Sequence, residues 1–598
     1  MAQALPVLGI TPFCSPDAGL VRALEAAGAR GCLDLGTDPR KAERVLRRLG
    51  RQLERFAVRI GPTLPVLALP SAVDTVVLHP DVDSEPYADR VRLVQVTTHQ
   101  QGVQAVAEGA DGLIAKGAES GGLVSDTAAP ILVQQLASLG VPVWLQGGVG
   151  LHTVSGAVAL GAHGVVLDAQ LALLEEANTP DPIRKVLATM DGSETTVVSG
   201  HRVFERPDLP IVALATGLPG NLGAGPLDRR LLPLGQDAAF AAPLAARFRT
   251  VAGLVHGLRE SAHAQLETAA ALQPLAPGNG VAAAHGSGYP IAQGPMTRVS
   301  DRAAFAEAVA RGGGLPFLAL SLSRGDKVRA LVEETGLLLP NRPWGVGILG
   351  FVPPELRAEQ LEVITELRPP LALIAGGRPS QARELEALDI PTFLHVPSPG
   401  LLDLFLRDGA TRFVFEGREC GGHIGPRHSF VLWEQAVARL LEQGDLSDYE
   451  LLFAGGIHDG ATAAMIAALA APLAARGARL GVLMGTAYLF TAEAVRSGAI
   501  GEVFQQAAVD ATQTAAVQTA PGHATRCVRS PFVDAFEARR AELEAAGSSP
   551  EETWAELEKL NLGRLRIASK GIVREGDTLT SVDEDRQRAE GMFMIGDV

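Results

Sequence analysis

Cysteine is scarce in this chain of 598 residues. The four present (Cys14, Cys32, Cys420 and Cys527) stand far apart with no paired spacing, which excludes a disulfide framework and a cysteine-rich metal centre. No metal is expected, and a reducing, cytoplasmic setting follows. Surplus positive charge is missing as well. With a net charge of -15 and a pI near 5.4, the chain lacks the clustered Lys and Arg that phosphate backbones demand, so nucleic acid is not expected as a partner. Long apolar runs are also absent. The most apolar stretch, Ala461 to Ala475, is interrupted by Pro472 and closed by Arg476. It falls short of the roughly 20 residues that cross a bilayer, so it reads as a buried helix and no membrane partner is expected. Met1 to Pro12 lacks the basic-then-apolar order of a secretory signal.

What is present suits a large soluble enzyme. Hydrophobic residues make up 47% of the chain and mean hydropathy is +0.17, enough for sizeable cores and, at this length, two or more domains. Short β-branched runs alternate with Ala- and Leu-rich amphipathic stretches, the pattern of βα units around a parallel sheet. Pro290 to Gln293 reads as a strand, followed by a turn, by Ser300 as N-cap of a helix burying Phe305 and Val309, and by Gly312 to Gly314 as its stop.

The pattern occurs twice in the same order. Leu5 to Leu8 with the helix Ala18 to Ala29 is echoed by Tyr289 to Ala292 and its helix. Ala110 to Gly122 parallels Ala410 to Gly422, and Trp144 to Val149 parallels Leu452 to Ile457. A tandem duplication of (β/α)8 barrels, an α/β fold, accounts for all three. The Gly- and Pro-rich stretches Thr216 to Pro226 and Leu275 to Gly288, with a helix near Phe248 to Leu272 between them, mark the connection. The expected layout is residues 1–210 as a smaller, degenerate barrel, 211–284 as a linker with a helix, and 285–598 as the second barrel with a C-terminal helical extension. Its charged stretch Glu542 to Glu558 is expected helical and exposed.

Chemistry concentrates in the second copy. The strand Thr411 to Phe415 leads into Glu416-Gly417-Arg418-Glu419-Cys420-Gly421-Gly422-His423-Ile424-Gly425. Barrel strands end at the catalytic rim, and the pair Gly421-Gly422 lets backbone pass close to a planar ligand while delivering His423 there. Two later turns, Gly455-Gly456-Ile457 and Met484-Gly485-Thr486, fall at the seventh and eighth strands, where turn amides commonly seat a phosphate.

These pieces, with Gln293-Gly294-Pro295-Met296 and Gly345-Val346-Gly347-Ile348, resemble the nitronate monooxygenase (2-nitropropane dioxygenase) family and its relatives, the FMN-dependent enoyl-ACP reductases. The resemblance implies a barrel holding FMN, with Gly294, Pro295 and Met296 against the flavin and Gly455, Gly456, Gly485 and Thr486 at its phosphate. It makes His423 the catalytic histidine. Gly347 stands where the family usually has Asn. The double-barrel arrangement and Arg298-Val299-Ser300-Asp301 also resemble the N-terminal region of polyketide or fatty-acid synthases, with further synthase domains as expected partners. The ending Gly591 to Val598 falls within the family's C-terminal segment, which makes the chain an expected portion of a longer one.

The first copy departs from this pattern. Leu123 replaces His423, Leu167-Asp168-Ala169 replaces Met484-Gly485-Thr486, and Ile10-Thr11-Pro12-Phe13 does not reproduce the Gly-Pro-Met turn. A carboxylate where a phosphate belongs repels it, so this barrel is expected to be non-catalytic and without FMN. His395, His458 and His523 are secondary candidates, read first as turn histidines, and Cys420 as a small filler without an activating neighbour. Two activities stay open. One is oxidation of alkyl nitronates. The other is reduction of an enoyl thioester, free or carrier-bound, with NAD(P)H as co-substrate. A silent scaffold or docking region is the alternative to both.

Overall fold

The computed structural model describes residues 5–576 and 578–597. The first four residues of the N-terminal stretch, Asp577, and the last residue of the ending Gly591 to Val598 lie outside the described residues. The chain divides into two compact units, Met1–Ala270 and Ala271–Val598.

In the first unit eight parallel strands, Val7–Ile10, Arg30–Asp34, Phe56–Ile60, Val73–Leu78, Val91–Val96, Gly112–Lys116, Val143–Gln146 and Gly164–Leu167, close into a barrel. Valine, leucine and isoleucine dominate because such strands are buried on both faces. Leu8, Cys32, Ala57, Val77, Ile114 and Val166 fill the interior. Among the described residues no α-helix follows the third strand, and only the three-residue helix Glu85–Tyr87 follows the fourth. That is why this barrel is the smaller.

The second unit repeats the plan with Ile291–Gln293, Leu315–Ala319, Gly345–Leu349, Leu371–Ala375, Thr392–His395, Arg412–Glu416, Glu450–Ala454 and Arg479–Met484. A helix follows each, and the last strand pairs back to the first through Ala292 and Leu483. Phe317, Leu373, Phe393, Val414 and Leu452 pack the interior, and Val281 closes it from below.

The duplication runs beyond the barrels. A hairpin, Thr195–Val198 with His201–Phe204, captures the short strand Gly122–Leu123, and Thr514–Ala520 with His523–Val528 captures Gly422–Ile424 in the same way. A buried arginine pins each. Arg202 Nε donates to Ala118 O (2.5 Å) and Nη1 to Thr195 Oγ1 (3.1 Å). Arg526 donates to Arg418 O (2.9 Å) and Thr514 Oγ1 (2.6 Å).

The expected boundaries need correction. Residues 211–270 are no linker but part of the first unit. Ile211, Leu222 and Leu231 pack on Val203, Leu232 and Leu234 on Phe13 and Phe204, and Gln265 from the helix Val251–Leu272 bonds Ser155 Oγ at 2.8 Å. Glycine and proline there shape a packed loop rather than a mobile tether. Ser300 is not an N-cap either. The helix Ala303–Arg311 starts after Arg302, and the Ser300 hydroxyl turns back to accept from Met296 N (3.0 Å) and Gln293 Nε2 (2.8 Å).

The apolar stretch forms the helices Gly460–Leu469 and Ala471–Ala474, split before Pro472, with Met465, Ile466 and Leu469 buried. Among the described residues no single helix is long and apolar enough to cross a membrane. The charged C-terminal stretch spans two helices, Pro531–Ala545 and Pro550–Asn561, which are not wholly exposed: Leu543 and Leu557 are buried.

Candidate functional site

The rim of the second barrel is assembled by its first, sixth, seventh and eighth strands. Gly294 N donates to Met484 O at 2.9 Å, which ties the turn after the first strand to the end of the eighth. Ser300 fixes that turn, and Met296 sulfur lies 3.4 Å from where a Cβ at Gly485 would stand. Gly294–Met296 and Gly485–Thr486, distant in sequence, therefore meet. Gly347 is explained by the same turn. A Cβ there would collide with Pro295, so an asparagine at 347 is incompatible with this position of the proline.

The Gly455-Gly456 turn has φ values of +131° and +65°, a conformation that side chains other than glycine rarely adopt. Gly147-Gly148 of the first barrel repeats it at +128° and +64°. The first copy shows what this turn does. Gly148 N–H donates to the Asp237 carboxyl group at 3.3 Å, so the turn presents an amide to an acceptor oxygen, the kind of donor that phosphate-binding turns use. In the second barrel Thr486 Oγ1 accepts from Gly596 N (2.7 Å), which leaves the hydroxyl proton to donate elsewhere. Asp597 N donates to Glu419 O (2.9 Å), and the Asp597 carboxylate meets Arg526 at 3.0 Å. The C-terminal tail is thus laid along the rim.

That tail corrects the reading of Gly421. A Cβ at this position would lie 2.6 Å from the backbone of Ile595 and Gly596, so the glycine makes room for the tail rather than for a planar ligand. Gly422 takes φ +82° and lets the chain turn into the captured strand.

His423 sits in that strand, opposite Thr525 of the hairpin. Its residue is exposed at the surface, yet the surrounding protein desolvates the ring and holds its pKa below the ordinary histidine value, with Glu416 pulling the other way. Glu419 is turned inward. Its carboxylate accepts from Ser429 N (3.0 Å), the Ser429 hydroxyl and His428 Nδ1 (3.0 Å), anchoring the start of the helix Ser429–Leu441. Burial pushes its pKa up, but His428 and Ser429 outweigh burial and hold it below the usual value. Cys420 joins the barrel interior, and burial followed by Glu416 and Glu419 raises its thiol well above normal, as befits a filler.

Sequence reasoning passed over one pair. His395, ending the fifth strand, places Nδ1 2.8 Å from Glu416, which ends the sixth. Its Nε2 is buried and, among the described residues, without a hydrogen-bond partner. A ring oriented by a carboxylate on one nitrogen and free on the other is a geometry for holding or moving a proton. The signal was available, since each residue is the last of its strand, but the contact spans 21 positions and no local spacing reveals it. His458 instead opens its turn, with its backbone N–H donating to Thr462 Oγ1 (3.0 Å). His523 begins the second strand of the hairpin.

In the first barrel the corresponding glycine turn is taken up by the chain itself. Asp168 does stand at the eighth strand, accepting from Gln146 at 2.9 Å. The stronger obstacle is Asp237, which sequence reasoning missed. Its carboxylate also receives Gln170 Nε2 at 3.3 Å, and burial, then Asp168 and Glu119, raise its pKa well above normal. The chain occupies its own anion turn with a carboxyl group held towards its neutral form. Gln236 N bonds Glu119 O as Asp597 N bonds Glu419 O; in that register the counterpart of Asp237 falls on Val598, outside the described residues.

Residues 357–578 match the family model described as nitronate monooxygenase. The nitronate monooxygenase of Pseudomonas aeruginosa is 29% identical over 280 residues, covering 40% of this chain and 76% of that one. The nitronate monooxygenase of Neurospora crassa is 38% identical over 117 residues, 18% of this chain and 31% of that protein. Among solved structures, FabK from Thermotoga maritima is similar with 26% identity and a TM-score of 0.42, covering 53% of this chain and 88% of that one. The similarity to nitronate monooxygenases thus falls on the second barrel, over residues 357–578.

Proposed function

We propose that the second barrel is an FMN-dependent oxidoreductase acting on alkyl nitronates. The observation that carries this is the match over residues 357–578, which contains Gly485–Thr486, the turn that Gly294–Met296 meets from outside the match. The residues present fit the cofactor. The Gly455 and Gly456 amides and the Thr486 hydroxyl would hold the phosphate, in the turn whose first-barrel copy receives a carboxyl group. Gly294, Pro295 and Met296 would line the ring. When bound, FMN would supply the redox chemistry between substrate and oxygen.

The chain's own residues do the rest. His423, its pKa held below the ordinary histidine value, favours the neutral imidazole at neutral pH. In that form its ring N–H can hydrogen-bond the nitronate oxygens, and its free nitrogen could take the α proton only of the parent nitroalkane. His395, oriented by Glu416, offers a second nitrogen at the rim. The captured strand and its hairpin fix the backbone of His423 opposite Thr525.

The run Gly421-Gly422-His423-Ile424-Gly425 favours a second reading, reduction of an enoyl thioester by NAD(P)H with the acyl group free or on a carrier protein of an adjoining synthase. One experiment separates these readings from a silent scaffold. The purified chain is examined for flavin absorbance and FMN uptake. Oxygen consumption with a nitronate is then compared with NAD(P)H oxidation on a crotonyl thioester. Flavin binding with nitronate-dependent oxygen uptake supports the proposal, thioester-dependent NAD(P)H oxidation supports the second reading, and failure to take up FMN sinks both.

A further inference from the structure

The first barrel, without a flavin seat, still has a mouth lined by chemistry. A concavity lies at the C-terminal ends of its strands, the end of a barrel where ligand sites form. Polar side chains from four strands, with Asp168 just past the eighth, form a connected chain across it. Asp34 meets Arg59 Nη1 at 2.8 Å, Arg59 Nε donates to Gln95 at 2.6 Å, Gln95 to Gln146 at 2.7 Å, and Gln146 to Asp168 at 2.9 Å. Each charged or amide group is satisfied by the next, which makes the network rigid and pre-ordered.

One group stands outside that network. Lys116, the last residue of the sixth strand, is 95% buried by its 5% exposure and lines the same concavity. Among the described residues its Nζ has no hydrogen-bond or ion-pair partner. Arg59 supplies a like charge nearby, while Asp168, Cys14 and Asp34 oppose it more weakly than burial. The net result lowers the amine to about 8. His79 and His201 complete the wall. Burial pushes His79 down to about 3 and lowers His201 as well, so neither adds a charge at neutral pH. In the second barrel the same place is taken by Glu416, engaged with His395, so nothing in the barrel frame itself requires a lysine here.

We propose that the mouth of the first barrel is a separate reactive site, in which Lys116 captures a small aldehyde or ketone as a reversible imine. An enclosed amine that gives up its proton near neutrality is a nucleophile towards carbonyl carbon. Its lone pair forms the new C–N bond, and the carbonyl oxygen leaves as water with both amine hydrogens. No oxidant or reductant is consumed. The network from Asp34 to Asp168 provides fixed hydrogen-bonding groups for a short polar substrate, and the barrel mouth is where such sites form.

The chain carries six lysines, and the other five are internal controls. Lys41, Lys185, Lys327 and Lys559 are exposed, and Lys570 is held by Asp301 and two carbonyls. The full chain is incubated with glycolaldehyde and cyanoborohydride between about pH 6 and 10, and the reduced adducts are located by peptide mass mapping. The proposal expects Lys116 to be modified first, at least several-fold faster than the exposed lysines, with half-maximal rate near pH 8. Lys116→Arg should keep the charge and lose only that adduct. Modification that follows surface exposure, with Lys116 last or unlabelled across that range, would overturn it, because a purely structural lysine stays protonated and unreactive. The measurement on the unaltered chain decides the matter even if the variant does not fold.

Discussion

The two barrels share a frame to within a few degrees of backbone at one glycine pair, yet their mouths carry opposite chemistry. Gly147-Gly148 and Gly455-Gly456 turn alike, Arg202 and Arg526 pin matching hairpins, and Glu119 and Glu419 each accept the first amide of a helix. In one copy a carboxyl of the chain sits on the glycine turn and an unpaired amine faces the mouth. In the other a threonine hydroxyl accepts from the C-terminal tail and an exposed histidine stands in the captured strand. The difference teaches that the frame fixes where a ligand can sit, while a few rim residues decide which ligand it is.

Four changes would sharpen or break this contrast. The largest effect should come from His423→Ala, with turnover falling about 10²–10⁴-fold while bound flavin is retained; steady-state rates with flavin absorbance check both. Gly347→Asn would restore the residue usual in the family, but it should cost about 1–3 kcal/mol through collision with Pro295, visible as a lower urea midpoint without tighter flavin binding.

Lys116→Met should instead stabilise the first unit. Its folded pKa lies below the unfolded value, so the penalty for keeping it charged is fully present below about pH 8 and fades as pH rises towards 10.5. A gain of roughly 1–3 kcal/mol at pH 7 that shrinks across that window is the expected signature in thermal melts. The smallest effect is an acid slope in the second unit. Glu419 has a depressed folded pKa, so its contribution is present above an unfolded value of about 4.3 and is lost as pH falls through the folded one. Glu419→Gln should flatten that slope in urea midpoints measured from neutral to acid pH.

Much of this was legible in the sequence because it is local. Alternating strands and helices, two glycine turns and an ordered internal repeat gave both barrels and most of the second rim. What escaped depends on residues that meet only after folding. Asp237 reaches Gly148 across 89 positions, Gly596 reaches Thr486 across 110, and Glu416 finds His395 between neighbouring strands. The segment 211–270 misled by composition, since glycine and proline serve packed loops as readily as linkers. The motif residue Gly421 was rightly noticed, but its lack of a side chain serves the C-terminal tail.

Flavin stoichiometry tests the contrast between the two mouths most directly. The purified chain is saturated with FMN, freed of excess, and its flavin-to-protein ratio is measured from the visible and ultraviolet spectra. The account expects one FMN per chain, unchanged in Lys116→Met. Two would show that Asp237 does not close the first barrel, and none would show that the second barrel's turns are not a phosphate seat.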